Sequence, residues 1–346
     1  MHAASIPGFE ILEQLQESSK SLIWRARQHS LDRIVMLKLL RPEAAAQPAE
    51  LARFLLVART LARLKADGLS QIYDVVSEGE RHYIVMEAVD GPTLTDLVGQ
   101  KGCLPVTQAA RIAFTVSEAL GQAWDAGRLV HRNLKPTGIR LDSRGVAKIV
   151  DFGQAVVAVA DHVADPDEGH IIGTPNFLSP EQCAGEKQLD CRADMYALGA
   201  VLYYILTGHM PFSELPVEAV IQMQIYGQLP HPHKFRAELP APACGLIERL
   251  TMKHPDDRYA TWTEAMGDIQ HILKNMPLRR RETQPKGTAT LAPDAPSATA
   301  AATPGPRRAA PPPPVRPPHR PRLWAAGQSR PRQLPRDRAP TLLFRV

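Results

Sequence analysis

The stretch that decides the fold is His131-Arg132-Asn133-Leu134-Lys135-Pro136-Thr137-Gly138. Two further motifs follow it along the chain, Asp151-Phe152-Gly153 and then Gly173-Thr174-Pro175-Asn176-Phe177-Leu178-Ser179-Pro180-Glu181. A single short motif is weak evidence, because it occurs by chance in many chains. Three motifs in this order are far more specific, and they indicate one domain that holds all of them.

The order and spacing of these motifs resemble the catalytic loop, the metal-binding loop and the end of the activation segment of protein kinases. Bacterial serine/threonine kinases are the most similar group, and the resemblance covers about residues 9–275. Two later segments extend it, Asp194-Met195-Tyr196-Ala197-Leu198-Gly199 and His254-Pro255-Asp256-Asp257-Arg258. The resemblance implies a two-lobed α+β domain over residues 9–275.

Hydrophobic periodicity predicts the elements of both lobes. Short apolar runs bounded by polar turns predict five strands, at residues 9–12, 22–24, 33–38, 72–76 and 82–87. Residues 48–64 follow the helical spacing, as do Thr107–Gly127 and Asp194–Thr207. We therefore expect a small lobe of five strands and one helix over about residues 9–90. A larger, mainly helical lobe should follow over about residues 91–275.

Charge divides the chain at its end. Residues 278–346 hold 14 of the 41 Lys/Arg and 3 of the 36 Asp/Glu, which leaves 27 basic and 33 acidic residues before them. The basic character thus belongs to a Pro/Arg/Ala-rich tail, for which we predict disorder. Two interpretations stay open, a solvated linker or a basic arm that contacts acidic surfaces. Nucleic-acid binding is not expected of the acidic folded domain.

Cysteine usage and hydropathy bear on location. The four cysteines form no CxxC pair, and no histidine spacing around them suggests zinc, so we expect reduced thiols. The N-terminus lacks a charged-then-apolar signal pattern. No apolar run reaches the about 18 residues that span a bilayer, so no transmembrane segment is expected. The prediction is a cytoplasmic protein.

The resemblance places the chemistry in the loop that contains Asn133. This asparagine stands where the family carries the aspartate that acts as general base, and an amide takes up no proton near pH 7. Loss of a positioned base slows proton transfer by about 10²–10⁴-fold. Gly138 replaces the asparagine that holds a second magnesium ion, whereas Asp151 keeps the other metal position. Lys135 and Thr174 match a contact between the catalytic loop and the activation segment.

The nucleotide-binding positions are altered as well. Lys38 matches the strand lysine that contacts phosphates, but Val57 stands where its glutamate partner is expected. Glu50 lies two turns earlier and cannot easily substitute, so Lys38 is expected alone or paired with Asp151. The turn Gln16–Ser21 lacks every glycine of a phosphate-binding loop. It is interpreted as a plain hairpin turn, or as one whose Ser18, Ser19 and Lys20 side chains reach a phosphate.

The adenine slot shows a third set of changes. Met36 replaces the small residue above the base, and Arg140 falls where an apolar residue lies beneath it. The same resemblance assigns Glu87 and Val89 to nucleotide binding. A charge in an apolar slot is costly unless it is paired. Two placements of Arg140 stay open, with its guanidinium pointing out to solvent or filling the slot itself.

The remaining matches concern architecture. They are His131, Phe152 and Leu61 of an apolar spine between the lobes, Asp194 at its base, Thr174, and a predicted ion pair of Glu181 with Arg258. The activation segment between Gly153 and Gly173 contains no Ser, Thr or Tyr, so phosphorylation cannot switch it there. The acidic residues of this segment are Asp161, Asp165, Asp167 and Glu168. Two interpretations stay open, in which one of them pairs with Arg132 or all of them form a solvated loop.

These losses beside a preserved frame predict a pseudokinase, a protein-binding regulatory or scaffold module with little or no phosphoryl transfer. ATP and Mg²⁺ are expected to bind weakly or not at all. The partner is expected to be another protein, such as an active kinase or its substrate. Two alternatives stay open, a weakly active ATP-dependent serine/threonine protein kinase and a sensor that binds nucleotide without turnover.

Overall fold

The small lobe of the computed structural model, which describes residues 6–158, 171–276 and 278, is built on one antiparallel sheet. Its strand order is β1-β2-β3-β5-β4. The strands are β1 Phe9–Glu17, β2 Ser21–Gln28, β3 Arg33–Leu40, β4 Ile72–Glu78 and β5 Arg81–Glu87. All five predicted strands are present, and each is longer than its predicted range because the cross-strand pairing continues at one end or, in β2, at both.

Alternation of side chains along β3 explains how one sheet contacts two separate hydrophobic cores. Successive strand residues point to opposite faces. Val35 and Leu37 are fully buried in a core on the outer face of the sheet. Met36, by contrast, packs against the core on the inner face. The same alternation places Lys38, which pairs in register with Ile23 and Ile84, on the inner side.

Helix α2 (Pro48–Ala62) covers the inner face of the sheet. Pro48 suits the start of a helix, because its missing N–H has no partner there in any case. Phe54, Val57 and Leu61 are buried in the core that also includes residues of the large lobe. The small lobe holds a second, one-turn helix that the sequence did not predict, α1 (Pro42–Ala45).

The large lobe surrounds helix α6, whose side chains are buried almost throughout. This helix spans Cys191–Thr207, and the others are α3 Leu94–Lys101, α4 Val106–Gly127, α5 Pro180–Cys183, α7 Val217–Tyr226, α8 Ala241–Leu250 and α9 Trp262–Leu273. Short strands carry the loops of the site, and they are β6 Leu129–Val130, β7 Ile139–Leu141, β8 Ala147–Ile149 and β9 Val156–Val157. 3₁₀ turns lie at Pro136–Gly138, Pro175–Phe177, Pro232–Lys234 and Pro255–Asp257.

The two lobes are joined by backbone as well as by side chains. Ile149 of β8 donates to Gly68 O at 2.8 Å and accepts from Ser70 N at 3.0 Å. One hydrophobic core runs from α2 into the large lobe. The predicted two-lobed α+β fold is confirmed.

Several sequence predictions lie outside the described residues. They include the disordered tail over residues 279–346 and the acidic residues Asp161, Asp165, Asp167 and Glu168. None of the helices within the described ranges combines the length and the apolar character that crossing a bilayer requires.

Candidate active site

A buried carboxylate holds the loop between β6 and the 3₁₀ turn Pro136–Gly138. Asp194 Oδ2 accepts from His131 N at 2.7 Å, and Asp194 Oδ1 accepts from Arg132 N at 2.9 Å. Arg132 has a φ of 64°, an uncommon conformation for a non-glycine residue. Burial raises the pKa of Asp194 to about 7, although both N–H donors favour its carboxylate. Asp194 therefore fixes the backbone from which Asn133 projects.

Asn133 is hydrogen-bonded to the end of the activation segment. Its Oδ1 accepts from Thr174 N at 3.2 Å. Gly173 lies directly against this amide with a φ of 126°, and a Cβ there would be 3.2 Å from Asn133 Oδ1. The bond between the catalytic loop and Thr174 is thus made by Asn133, whereas the sequence assigned this contact to Lys135. An amide in this position orders the segment but accepts no proton.

Lys38 and Asp151 form an ion pair, which is one of the two arrangements that the sequence left open. Lys38 Nζ lies 3.2 Å from Asp151 Oδ1, which also accepts from Gly153 N at 2.9 Å. Burial alone would raise the pKa of Asp151, but the Lys38 ammonium and the Gly153 N–H lower it to about 2. The carboxylate is therefore charged at neutral pH and already shared with a cation.

Gly138 leaves open space where a second metal ligand would project. A Cβ on Gly138 would lie 3.9 Å from Lys135 Cγ and 4.0 Å from Asp151 Cβ, which are ordinary contacts. The missing side chain would thus point toward Asp151. Of the two metal positions that the family resemblance names, only Asp151 carries a ligand. One carboxylate binds Mg²⁺ poorly without phosphate oxygens.

A network of charges replaces the expected lysine–glutamate pair on α2. Val57 stands at the glutamate position and is buried. Glu50 is 1% exposed and pairs with Arg53 and with Lys20 Nζ, the latter at 2.8 Å. Arg53 Nη1 in turn donates to Gly153 O at 3.0 Å and to Ala155 O at 3.2 Å. Helix α2 is therefore tied to the segment that follows Asp151 through arginine and not through Lys38.

Sequence reasoning missed Arg53, although a signal was present. Residues four apart lie on one face of a helix, so Arg53 shares the stripe of Val57 and Leu61. That stripe is buried, with Arg53 and Leu61 each 6% exposed. A charged residue on an apolar stripe predicts a buried partner.

The β1–β2 turn is a closed hairpin turn, as the sequence predicted. Ser18 Oγ accepts from Ser21 N at 3.0 Å and from Lys20 N at 3.3 Å. Arg41 Nε donates to Ser18 O at 2.8 Å, and the Arg41 guanidinium also pairs with Glu17. The alternative was a turn whose side chains reach a phosphate. Instead, the Ser18 and Lys20 side chains both bond within the small lobe.

The connection between the lobes carries Arg140. Gly91 lies so close to β7 that a Cβ there would be 1.7 Å from Leu141 O. This approach brings Gly91 O within 2.7 Å of Arg140 Nη1, which also lies 3.5 Å from Val89 O. The guanidinium is thus bound to backbone carbonyls of the segment between the lobes, and Arg140 is half-buried.

Glu87 is also engaged within the protein. Its Oε2 accepts from Lys148 Nζ at 2.9 Å and from Gln71 N at 3.1 Å. Met36 lies opposite Met86 in the β3–β5 register and is half-buried. The polar groups of Glu87 and Arg140 are therefore both hydrogen-bonded within the protein, Glu87 to Lys148 and Gln71 N, and Arg140 to backbone carbonyls. The bulky side chain of Met36 lies nearby on β3.

The architectural residues contact one another as the sequence predicts. The rings of His131 and Phe152 lie 4.8 Å apart, and Phe152 packs against the core that contains Leu61. Glu181 receives two hydrogen bonds from the Arg258 guanidinium, at 2.6 and 2.7 Å. The pair is more deeply buried than expected, since the Arg258 side chain is 0% exposed.

The geometry is a poor fit for Mg²⁺-bound ATP as the family would hold it. The phosphate end has a closed serine turn, and Lys38 is shared with Asp151. The adenine end has Arg140 on the carbonyl oxygens of Gly91 and Val89. An incoming nucleotide would have to displace these bonds before it made its own.

Comparison with known proteins gives a family. PknB of Mycobacterium leprae, a serine/threonine-protein kinase, is 34% identical over 274 residues, which are 78% of this chain and 43% of that protein. A probable serine/threonine-protein kinase of Clostridium perfringens is 33% identical over 268 residues, 77% of this chain and 38% of that protein. The serine/threonine-protein kinase PknL of Mycobacterium tuberculosis is 31% identical over 265 residues, which are 77% of this chain and 65% of that protein.

The chain spans about two fifths of the length of the first two of these relatives. A family model described as the protein kinase domain matches residues 9–272, which include both lobes and every site residue named above. On the order of its motifs, its two-lobed fold and this match, the chain belongs to the protein kinase domain family.

Proposed function

We propose that this protein uses the kinase fold to bind and regulate another protein, with little or no phosphoryl transfer of its own. The observation that carries the proposal is the catalytic loop. Asn133 stands at the base position, and its side-chain oxygen is hydrogen-bonded to Thr174 N at 3.2 Å. General-base catalysis requires a group that accepts the substrate proton, and an amide does not do so near neutral pH.

The phosphate side of the cleft supports the proposal. Phosphoryl transfer depends on positioned phosphates, metal ions and a stabilised transition-state charge. Gly138 supplies no ligand beside Asp151, and the Lys38 ammonium is already paired with that carboxylate at 3.2 Å. A nucleotide would compete for both groups at once, so we expect weak nucleotide binding or none.

The preserved frame supports a binding role. The buried Glu181–Arg258 pair and the Asp194 bonds to the catalytic loop maintain the architecture without contributing to chemistry. The charge network from Lys20 through Glu50 and Arg53 to Gly153 O fixes helix α2 against the cleft. A rigid helix face of this kind presents the same surface to a partner at all times, which lowers the entropy cost of association.

The test combines nucleotide binding with phosphate transfer on the full chain. Thermal unfolding is followed with millimolar ATP, with and without Mg²⁺ or Mn²⁺, because a ligand that binds only the folded state must raise the melting temperature. Transfer of radiolabelled phosphate to a generic protein substrate is measured beside it. We expect no melting shift and no transfer. Transfer that disappears in Asp151→Ala would overturn the proposal.

A matched variant makes the negative result informative. Asn133→Asp with Gly138→Asn restores a base and a second metal ligand, and the open space at Gly138 admits the new side chain. Met36→Ala with Arg140→Leu opens the adenine slot. The four substitutions together should produce a metal-dependent melting shift. If the wild type shows the same shift, binding is intact and the pseudokinase proposal is wrong on that point.

A second candidate is a weakly active ATP-dependent serine/threonine protein kinase. The names of the curated relatives favour it over the first candidate, since all three relatives compared above are described as serine/threonine-protein kinases. Lys38 and Asp151 retain the family residues at their positions. A third candidate, a nucleotide sensor, predicts a melting shift with ATP and no transfer. The two assays distinguish all three.

A further inference from the structure

Three potential metal ligands come together in the large lobe, far along the chain from the catalytic loop. His231, His233 and Cys244 each offer one ligand atom, and these atoms all lie within 4.8 Å of one another. The sequence suggested no zinc spacing around any cysteine. A loop and a helix bring the three residues together, and their spacing along the chain matches no familiar zinc motif.

The fold holds this cluster from two sides. His231 caps the 3₁₀ turn Pro232–Lys234, which contains His233, and Cys244 is buried on helix α8. The ring of His233 is fixed by a hydrogen bond between its Nε2 and Leu239 O, at 2.8 Å. A carbonyl only accepts, so Nε2 carries the proton and the lone pair of Nδ1 is left available. Metal-binding histidines are commonly oriented by such a bond.

A fourth donor stands beside the cluster. Glu248 lies one helical turn after Cys244, and residues four apart share a face of a helix. Glu248 Oε1 is 3.2 Å from His231 Nε2. Cys244 is buried on the same helix, one turn before Glu248. Two imidazoles and one thiol therefore offer ligand atoms within 4.8 Å of one another, and one carboxylate lies beside the His231 ring.

We propose that His231, His233, Cys244 and Glu248 form a Zn²⁺ site that fastens the turn before helix α8 to that helix. Zinc binds cysteine sulfur, histidine nitrogen and carboxylate oxygen in tetrahedral geometry. At bond lengths of about 2.0–2.3 Å, neighbouring ligand atoms in such a site lie about 3.3–3.8 Å apart. Small rotations of the exposed histidine side chains, which move their ligand atoms by about 1 Å, close the difference, and the His233 ring keeps its bond to Leu239 O during such a rotation.

Two bonds change when the ion binds. Cys244 coordinates as thiolate, so its thiol proton is released to solvent. His231 Nδ1 accepts from His233 N at 3.2 Å, which places the proton of the neutral ring on Nε2 beside Glu248. Coordination through Nε2 moves that proton to Nδ1 and replaces the exposed capping bond. Metal affinity should therefore rise with pH.

The test is a titration of the chelator-treated full chain with Co²⁺, followed by displacement with Zn²⁺. Tetrahedral Co²⁺ has intense visible bands, and a thiolate ligand adds an ultraviolet charge-transfer band. We expect one Co²⁺ per chain, both signals, their loss on addition of Zn²⁺, and a rise in melting temperature with Zn²⁺. The charge-transfer band should disappear in Cys244→Ser.

His233→Gln provides a second test in case Cys244→Ser does not fold, because His233 is an exposed side chain and Cys244 is buried. It should weaken metal binding by at least about 100-fold, since even changes in the outer shell of a metal site weaken binding by about 10–100-fold. Cys103→Ser and His29→Gln are the matched controls and should bind as the wild type does. Absence of both signals at millimolar Co²⁺ would overturn the proposal. So would signals that survive in Cys244→Ser and His233→Gln.

Discussion

His131 is the buried side chain whose protonation state contributes most clearly to stability. Its pKa is lowered to about 4, mainly by burial, with the charges of Lys38 and Lys135 acting in the same direction and Asp151 opposing them. An unfolded histidine titrates near about 6.5. The unfolded state therefore binds more protons than the folded state between these two values. This contribution to stability is complete above pH of about 6.5 and is lost as the pH falls toward 4.

The corresponding prediction compares the wild type with His131→Leu in urea denaturation from pH 7 to pH 4.5. The variant lacks the titrating group, so the gap between the two free energies of unfolding should change by about 2 kcal/mol over this range. His29→Gln, at an exposed position, should show no such change. A gap that stays constant with pH would mean that His131 is not held neutral in the folded protein.

The Glu181–Arg258 pair gives a second prediction for single residues. Arg258 also donates to the carbonyls of Met252, Arg192 and Lys253, so its loss leaves several buried acceptors and one carboxylate without a partner. Arg258→Met should lower the free energy of unfolding by about 3–5 kcal/mol. Chemical denaturation measures the loss.

The control for that measurement is an exposed pair of the same chemistry. Arg27 and Asp32 lie 3.9 Å apart with side chains 51% and 87% exposed. Arg27→Gln should cost less than about 1 kcal/mol. Equal losses for the buried and the exposed pair would show that burial does not set the strength of the Glu181–Arg258 interaction.

Individual side chains differ in how far the sequence predicts them. The Glu181–Arg258 pair follows from two motifs in a known order, whereas the missing glutamate at position 57 left Lys38 either alone or paired with Asp151. The contacts of Arg140 with Gly91 O and Val89 O do not follow, because they depend on how closely β7 approaches the segment between the lobes. That distance is set by packing and not by local sequence.

At the level of elements, helix α2 is the part of the small lobe that depends most on buried charge. Arg53 joins it to Gly153 O and Ala155 O. Arg53→Met removes both bonds and leaves Glu50 with Lys20, so we expect faster amide hydrogen exchange in α2 and in residues 153–158. The free energy of unfolding should fall by about 3 kcal/mol.

Arg59→Met provides the control on the same helix, because Arg59 is exposed. It should leave exchange in residues 153–158 unchanged. If both variants accelerate exchange equally, the effect comes from helix propensity, and the Arg53 bonds do not fix the segment after Asp151.

Element positions were largely predictable, and their ends were not. Apolar periodicity located β3, α2 and α4, because one face of each is buried, and it located α6, which is buried almost throughout. The strand β1 extends to Glu17, well beyond its predicted end at residue 12, since cross-strand bonds to β2 continue it through exposed residues. Helix α1 is a single turn after Arg41, too short for a periodic pattern to reveal.

At the level of the whole molecule, the shared core predicts that both lobes unfold together. Buried residues of α2 belong to the same cluster as residues of α4 and α6. We expect one calorimetric transition whose calorimetric and van't Hoff enthalpies agree. Leu61→Ala, which opens a cavity at this junction, should lower the free energy of unfolding by about 2–5 kcal/mol. The whole transition should therefore move to lower temperature.

Leu12→Ala is the comparison for that experiment, since Leu12 is 43% exposed on β1. It should shift the transition little. Two separate transitions in the wild type, with Leu61→Ala moving only one of them, would show that the lobes are independent folding units.

The closed turn between β1 and β2 restricts which substitutions the turn can accept. Lys20 and Arg53 now share the buried Glu50, and Arg41 holds Ser18 O. Replacement of Lys20 by glycine, the first step toward a phosphate-binding loop, would remove one of these two cations and gain no ligand contact in return. Several substitutions would have to accumulate before binding improved. The network therefore opposes change at this turn one residue at a time, because the first substitution would cost stability before any phosphate contact could form.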